Sequence, residues 1–252
     1  MLRWVTASFS HTGTRECNDD AVCVRRITAT KRRYGLLIVA DGVGSIAGSG
    51  QLARRICDIV PTFVEKYLLS RYTKRDIAPG EIADLAHAIK MGLNNTDNLE
   101  MLCSTFACAI VGRRTVAIYW AGDSRIYALY EDGRVLQASE DDVDINGALT
   151  RYVKGDVGVV GNLNGRIITA DHLQLIAVAT DGVYQSCTKQ ELTSFLLYLA
   201  SNPDILKKHL ASDFEAFAGG NISDNATMAV LASPKHTLRV KRAAHARLRQ
   251  LL

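Results

Sequence analysis

Residues 36–44 read LLIVADGVG, an apolar run that ends in Asp41 and is followed at once by glycine. A continuous apolar run of this length predicts a buried strand, and the Asp-Gly pair predicts a tight turn where that strand meets solvent. Residues 176–184 show the same arrangement as IAVATDGVY, with Asp181 before the glycine. A carboxylate at such a junction can point into a cleft while the strand holds its backbone still. The two stretches therefore predict two rigidly held carboxylates at strand ends.

Three further aspartates lie beside apolar runs, at Asp20 in CNDDAV, Asp123 in YWAGDSRIY and Asp224 in ISDNATMAVL. Each one alone is typical of a turn or a cap, because the Asp side chain accepts hydrogen bonds from nearby backbone. Together, several such junctions can converge on one site for Mg²⁺ or Mn²⁺, hard cations that prefer oxygen ligands. Two such cations bridged by a water would generate a hydroxide nucleophile and bind a phosphoryl oxygen. The arrangement therefore predicts phosphoester hydrolysis.

The composition is that of an ordinary globular domain. The chain has 252 residues, of which 48% are hydrophobic and 22% charged, and it contains no low-complexity stretch. A net charge of +4 is too small to indicate nucleic-acid binding, and no window has the length of a membrane span or a signal peptide. We therefore expect a cytoplasmic protein. The six cysteines form no CxxC pair, which disfavours zinc and disulfide frameworks and favours buried, reduced thiols.

The basic excess is concentrated in residues 235–252, which read KHTLRVKRAAHARLRQLL and contain no acid. Without this segment the chain is slightly acidic. The shift in charge predicts a domain boundary, with one domain over residues 1–234 and a basic tail after it. Leucines among the charges of the tail fit a solvated terminal helix, and they also fit a segment that docks on a membrane or a partner.

Strands separated from helices along the chain predict an α+β protein. Apolar residues at three- and four-residue steps predict helices over Gly48–Arg71, which Pro61 kinks or divides, and over Pro79–Met101, with further helices near 189–218. Residues 139–165 read as loop. Hairpin connections such as GRRT and EDGR imply antiparallel pairing, so we predict an α-β-β-α sandwich of two mainly antiparallel sheets flanked by helices. The predicted strands are Val5–Ser10, Ala21–Ile27, Tyr34–Ala40, Thr105–Val111, Thr115–Ala121, Arg125–Tyr130, Leu173–Ala179 and Thr227–Ala232.

Six short motifs, taken in order, resemble one known family. They are RECNDDA (15–21), ADGVG (40–44), CST (103–105), AGDSR (121–125), TDGV (180–183) and SDNAT (223–227). Each is weak alone, but the ordered set resembles the metal-dependent protein phosphatases of type 2C, with spacing close to that of short bacterial members. The resemblance covers roughly residues 8–231, and it implies that the domain over residues 1–234 is catalytic.

The resemblance implies a dinuclear Mn²⁺ or Mg²⁺ centre. Asp41 would bridge the two metals and the carbonyl of Gly42 would bind one of them. The remaining ligands of the two ions would be Asp20, Asp181 and Asp224. Each of the five residues lies at the matching position of a family motif.

Three further roles follow from the same resemblance. Arg15 would hold the substrate phosphate with its planar donor fork, Asp19 would orient a metal-bound water, and Asp123 would help to bind a third, weaker metal. The implied activity is hydrolysis of phosphoserine and phosphothreonine in proteins by a metal-bridging hydroxide. A phosphorylated protein would be the substrate, and a cognate Ser/Thr kinase would be a partner.

Departures from the family pattern leave alternatives open. Val43 stands where many relatives have a proposed acid, and Asp19 replaces the usual Glu. The segment 139–165 falls where the family places a flap over the substrate; its acids at 140, 141, 142 and 144 fit either a solvated loop face or substrate contact. Two other functions fit the same motifs, namely a phosphoprotein-binding pseudophosphatase without turnover and a phosphatase of a small metabolite.

Overall fold

Two antiparallel sheets stacked face to face form the centre of the molecule. A computed structural model describes residues 4–29, 32–44, 46–68, 82–94 and 98–234. Its strands are β1 (Val5–His11), β2 (Asp20–Ala29), β3 (Arg32–Asp41), β4 (Cys103–Ser104), β5 (Phe106–Val111), β6 (Thr115–Ala121), β7 (Arg125–Tyr130), β8 (Val135–Gln137), β9 (Tyr152–Lys154), β10 (Gly158–Val160), β11 (Asn164–Thr169), β12 (Leu173–Ala179) and β13 (Ala226–Ala232). The first sheet has the order β1-β13-β12-β7-β8, and the second has the order β11-β6-β5-β3-β2.

Helices cover the outer face of each sheet. They are α1 (Ser49–Phe63), α2 (Ile82–Leu93), α3 (Asp181–Gln185), α4 (Lys189–Ser201) and α5 (Leu206–Phe217). α1 and α2 pack on the second sheet, and α4 and α5 pack on the first. Three apolar layers result, one between the sheets and one beneath each pair of helices. The predicted α-β-β-α sandwich is therefore confirmed.

β3 shows why the apolar run of residues 36–44 belongs at the centre of the fold. Residues 36–40 of this strand are completely buried, and their side chains alternate between two layers. Leu37 and Val39 face the other sheet, whereas Leu36 and Ile38 face the helices. Because both faces are covered, the strand has no polar side and reads as a continuous apolar run.

The segment predicted as loop over residues 139–165 contains short strands. β9 and β10 lie within it, and with β4 they form a third, three-stranded sheet in the order β10-β9-β4. β11 begins at its end and pairs with β6. These three-residue strands are too short to show a period of two in the sequence, and β9 pairs with β4, about 50 residues earlier in the chain.

Helix boundaries differ from the sequence prediction in two places: α1 continues past Pro61, and α2 ends at Leu93 instead of near Met101. α1 does not break at Pro61 but passes into a π-helical turn at Val64–Leu68. Pro61 has no N–H to donate, and interruption of the regular hydrogen-bond ladder is a common cause of such local changes. The predicted ends Arg71 and Pro79, like the tail 235–252, lie outside the described residues.

All six cysteines are free, and only Cys57 and Cys108 are buried. Among the described helices, none has the length and apolarity to cross a membrane.

Candidate active site

The predicted site residues lie at one end of the stacked sheets. Asp20 and Asp41 are direct cross-strand partners at the start of β2 and the end of β3. In the first sheet, the end of β12 pairs with the starts of β7 and β13, so Asp181 and Asp224 emerge side by side. The turn of residues 122–124 joins β6 to β7 and brings Asp123 to the same end. The five carboxylates therefore converge through the topology of the two sheets.

Asp20 is the most buried of these carboxylates. Its side chain lies beneath Thr180, whose hydroxyl donates to Oδ2 at 2.8 Å. The other oxygen, Oδ1, is buried and has no hydrogen-bond partner. Burial, with a smaller contribution from the charge of Asp181, raises the pKa of Asp20 to about 7. A buried carboxylate oxygen without a donor is costly for the fold, and a bound cation would satisfy it.

Asp41 stands in the middle of the group. Burial raises its pKa well above the usual range, and the charges of Asp20, Asp181 and Asp123 add to that effect. The pKa of Asp181 is also raised, by burial first and then by the charge of Asp224. Several carboxylates that raise one another's pKa form a site that favours bound positive charge.

The backbone of Asp41 is held by Thr105, a residue of the CST motif. Its amide donates to Oγ1 of Thr105 at 3.0 Å, and its carbonyl accepts from the amide of Thr105 at 2.8 Å. Thr105 Oγ1 also shares a 2.7 Å hydrogen bond with Oγ of Ser124, which follows Asp123 in the chain. Sequence analysis gave these two residues no role, although both lie inside quoted motifs. Their contacts tie Asp41 to the turn that carries Asp123.

Gly42 is required by close packing at the start of α1. A Cβ at this position would lie 2.5 Å from the carbonyl carbon of Ser49 and 2.7 Å from the amide nitrogen of Gly50. Asp19 completes the junction, because its carbonyl accepts from the Gly42 amide at 3.1 Å and its Oδ1 accepts from the Gly50 amide at 3.1 Å. The side chain of Asp19 is thus placed at the first turn of α1, where backbone N–H groups need acceptors.

Arg15 forms a two-pronged ion pair with Asp224. Its Nε donates to Oδ1 at 2.9 Å and its Nη2 donates to Oδ2 at 2.7 Å. The hydrogen bonds and charge of Asp224 raise the pKa of Arg15, and the side chain of Arg15 is half exposed. The fork therefore lies beside the carboxylates and within reach of solvent. A cation that took Asp224 as a ligand would compete with Arg15 for the same oxygens.

Asn225 pins the loop that carries Arg15 and Asp19. Its Oδ1 accepts from the amide of Asp19 at 2.8 Å, and its Nδ2 donates to the carbonyls of Thr12 and Cys17 at 2.8 and 2.9 Å. This amide satisfies three backbone groups of the β1–β2 loop. The motif SDNAT contained the residue, but sequence reasoning assigned a role only to its aspartate.

Asp123 is the carboxylate nearest the predicted flap. Burial raises its pKa to about 6, and the charge of Asp181 contributes in the same direction. The carbonyl of Asp123 accepts from the hydroxyl of Tyr184 at 3.1 Å. Tyr184 lies in α3, one turn after Asp181, so two of the carboxylates are joined through this contact.

The acids of the predicted flap have different surroundings. Asp142 is buried and binds the side chains of Arg151 and Asn164 and the amide of Gly122. Asp141 is half-buried against Arg125, whereas the acids at 140 and 144 are exposed. The interpretation of a solvated loop face thus holds for two of the four acids only.

The carboxylate set fits a hard divalent cation by its chemistry. The described part of the chain contains no three His, Cys, Asp or Glu side chains oriented so that they could enclose an ion together. All the candidate donors are nevertheless oxygens, and the buried Oδ1 of Asp20 has no protein partner. Oxygen ligands without sulfur or imidazole suit Mg²⁺ and Mn²⁺.

Comparison with known proteins identifies the fold. The serine/threonine phosphatase Stp1 from Staphylococcus aureus superposes with a TM-score of 0.65 at 19% identity, over 94% of this chain and 96% of that one. The Mycobacterium tuberculosis serine/threonine phosphatase PstP/Ppp gives a TM-score of 0.66 at 18% identity, over 91% and 98%. The catalytic domain of PstP in complex with two manganese ions gives 0.65 at 19%, over 93% and 100%.

A search of curated proteins by sequence gave no match. A model of one family, described as Protein phosphatase 2C, matches residues 9–212, which include every predicted site residue except Asp224. The converging carboxylates lie on the fold that this family shares with the bacterial phosphatases above, so the chain belongs to the protein phosphatase 2C family.

Proposed function

We propose that this protein is a metal-dependent serine/threonine protein phosphatase. The observation that carries the proposal is the convergence of five carboxylates at one end of the sheets, with the buried Oδ1 of Asp20 left without a donor. Membership of the protein phosphatase 2C family and the two manganese ions bound by PstP support a divalent cation at this place. We expect the protein to act in the cytoplasm on phosphoproteins.

In this proposal, Asp20, Asp41, Asp181 and Asp224 hold two Mn²⁺ or Mg²⁺ ions together with the carbonyl of Gly42. The ions supply an activated water and neutralise charge on the phosphoryl oxygens. A bound cation would favour the ionised form of each carboxylate. It would therefore offset the raised pKa of Asp20, Asp41 and Asp181 in the metal-free protein.

Arg15 is the residue that we assign to the substrate phosphate. Its half-exposed guanidinium presents the planar donor fork that phosphate oxygens match. In the free protein this fork is neutralised by Asp224. A cation held by Asp224 would compete with Arg15 for the carboxylate oxygens, and the fork of Arg15 would then be available to the phosphate.

Asp19 holds backbone groups of the site in place. Its Oδ1 accepts from the first turn of α1, and its carbonyl accepts from Gly42, so it fixes the backbone of a proposed ligand. A residue held in this way can also orient a water at the centre, as the family resemblance implies. The side chain of Val43 has no acidic proton, so it cannot act as the general acid that protonates the leaving group.

The test is phosphate release from a phosphothreonine peptide, measured with and without Mn²⁺. The proposal predicts turnover that EDTA abolishes, and a kcat/KM for the peptide well above that for small phosphorylated metabolites. Higher turnover of a metabolite would indicate that the substrate is a small phosphorylated molecule and not a protein. Tight binding of the phosphopeptide without turnover would instead indicate a pseudophosphatase.

A further inference from the structure

The turn that carries Asp123 is held by two stacked side chains to which the family resemblance assigns no role. Arg125, the first residue of β7, lies flat over the ring of Tyr184, with its Cζ 3.5 Å from the ring centroid. Tyr184 donates its hydroxyl to the carbonyl of Asp123 at 3.1 Å. Burial raises the pKa of Tyr184, so the hydroxyl keeps its proton and remains a donor.

Asp141 binds the edge of the Arg125 guanidinium. Nε of Arg125 lies 3.0 and 3.1 Å from the two carboxylate oxygens of Asp141, and Nη2 donates to Oδ2 at 2.7 Å. Gln137 donates to Asp141 Oδ1 at 3.0 Å and orients that carboxylate. Paired, planar hydrogen bonds of this kind define the plane of the guanidinium, and therefore the plane on which Tyr184 stacks.

The next residue, Asp142, holds the same turn by its backbone. Its amide donates to the carbonyl of Gly122 at 3.0 Å, and its buried carboxylate accepts from the Gly122 amide at 3.2 Å. Gly122 has a φ of 106°, a backbone conformation that residues other than glycine rarely adopt. Two consecutive residues at the base of the flap thus hold the turn on both sides of Asp123.

We propose that Tyr184, clamped by Arg125 and Asp141, is a positioning residue that sets Asp123 against the other carboxylates. Without the hydroxyl, the backbone of Asp123 loses its contact to α3, the helix that begins with Asp181. The clamp stands on geometry alone, whereas its effect on a metal ion at Asp123 rests on the proposed function.

The first test needs no metal. Amide hydrogen exchange of residues 122–126 in the metal-free protein should accelerate about three- to tenfold in Tyr184→Phe, which loses one hydrogen bond but keeps its ring. The matched control is Tyr198→Phe, which removes a 3.2 Å hydrogen bond to Asp213 away from the site and should leave this segment unchanged. Unaltered exchange in Tyr184→Phe would overturn the clamp.

The second test measures Mn²⁺ binding by electron paramagnetic resonance. Tyr184→Phe should weaken the weakest-bound ion about three- to tenfold and leave the tighter ions within twofold. In an Asp123→Asn background the same change should have no further effect, because its influence passes through Asp123. An equal loss in both backgrounds would contradict the positioning role. If the wild-type protein binds no Mn²⁺, the proposed function fails, while the exchange measurement still decides the clamp.

A third variant separates the stack from the charge. Arg125→Lys keeps a positive charge but loses the planar fork, so it should reproduce the effect of Tyr184→Phe on exchange and on the weakest-bound Mn²⁺. Arg134, which lies 4.9 Å above the ring of Tyr130 at the other end of β7, offers the matched control Arg134→Lys. Normal exchange of residues 122–126 in Arg125→Lys would contradict a role for the stack.

Discussion

At the scale of single residues, the carboxylates impose a cost on the metal-free protein. Asp20 loses hydration, has one oxygen without a partner, and lies beside other acids. Burial is the largest cause of the raised pKa of Asp20, Asp41, Asp181 and Asp123 alike. The fold therefore holds these residues in place against their own electrostatics, as is common at functional sites.

This cost predicts how stability depends on pH. A carboxyl group whose pKa is higher in the folded state than in the unfolded state stabilises the fold below its unfolded pKa, and that stability is lost as the pH rises through the folded pKa. For Asp20 the window runs from the ordinary value of 3.8 to about 7, and Asp123 acts in the same direction up to about 6. In EDTA, the free energy of unfolding measured with urea should therefore fall between about pH 4 and pH 7.

Two controls belong to the pH measurement. Asp41→Asn removes one ionising group and should flatten the dependence. Saturating Mn²⁺ should reverse its direction, because metal ions and protons compete for the same oxygens. A metal-free protein that gains stability across this window would contradict the account of the carboxylates.

The sequence predicted these carboxylates because each follows or precedes a buried strand. It did not predict the polar residues that hold them, such as Thr105, Thr180 and Asn225. In the sequence these residues look like any other Thr or Asn at the end of a strand, since Thr is common in strands and Asn in turns. Only the pairing of distant segments shows that Thr180 lies over Asp20, 160 positions earlier in the chain.

At the scale of elements, the junction of β3 with α1 is closely packed. Gly42→Ala would place a Cβ 2.5 Å from backbone atoms of the first turn of α1, which cannot rotate away. We expect a loss of about 2 kcal/mol in the free energy of unfolding. Gly44→Ala is the matched control, because its Cβ would meet only the Nη1 of Arg15 at 3.7 Å, and thermal unfolding should separate the two variants. Equal stability of both would contradict the close packing at Gly42.

The base of the flap offers a second prediction at this scale. Asp142→Asn removes the charge that faces Arg151 and exchanges an acceptor oxygen for a donor beside Asn164 and Gly122. We expect a loss of about 2 kcal/mol in urea unfolding, because a buried polar network loses partners. Asp144→Asn, at an exposed turn of the same flap, should cost less. A reversed ranking would show that Asp142 does not hold the flap.

The flap also shows which elements a sequence can predict. β3, β12 and β13 have long apolar runs, and their existence follows from that pattern. β9 and β10 have three residues each; they pair with each other, and β9 also pairs with β4, about 50 residues earlier. Three residues are too few to show a strand period, and the pairing of β9 with β4 depends on a distant segment, so a local window of sequence contains little signal. α3 was missed for a related reason, because five residues cannot show a helical period.

At the scale of the whole molecule, the two sheets interlock. Leu231 of β13 lies over Gly35 of β3, where a Cβ would come 2.1 Å from its Cδ1. Leu231 is completely buried in the layer between the sheets. Leu231→Ala should cost about 3 kcal/mol through the cavity that it leaves, measured by urea unfolding. Leu136→Ala on edge strand β8, where the side chain is 39% exposed, should cost less than ~1 kcal/mol. Similar losses for both variants would argue against this interlocking.

The layered architecture was predictable because strands and helices are grouped along the chain and the hairpins are short. The neighbours within the first sheet were not, because β1 pairs with β13, from the other end of the domain. That pairing brings the loop of Arg15 to Asp224 and so completes the site. A domain over residues 1–234 and a basic tail over 235–252 stay predictions.

The central claim is that the converging carboxylates form the metal centre of a phosphatase. The most direct measurement is the rate of phosphate release from a phosphothreonine peptide as Mn²⁺ is titrated, for the wild type and for Asp41→Asn, with thermal unfolding as a check on folding. We predict that the wild type shows saturable, Mn²⁺-dependent turnover, and that folded Asp41→Asn loses at least about a hundredfold in rate and binds Mn²⁺ more weakly. A folded wild type that is inactive, with an Asp41→Asn variant that binds Mn²⁺ equally well, would contradict the claim.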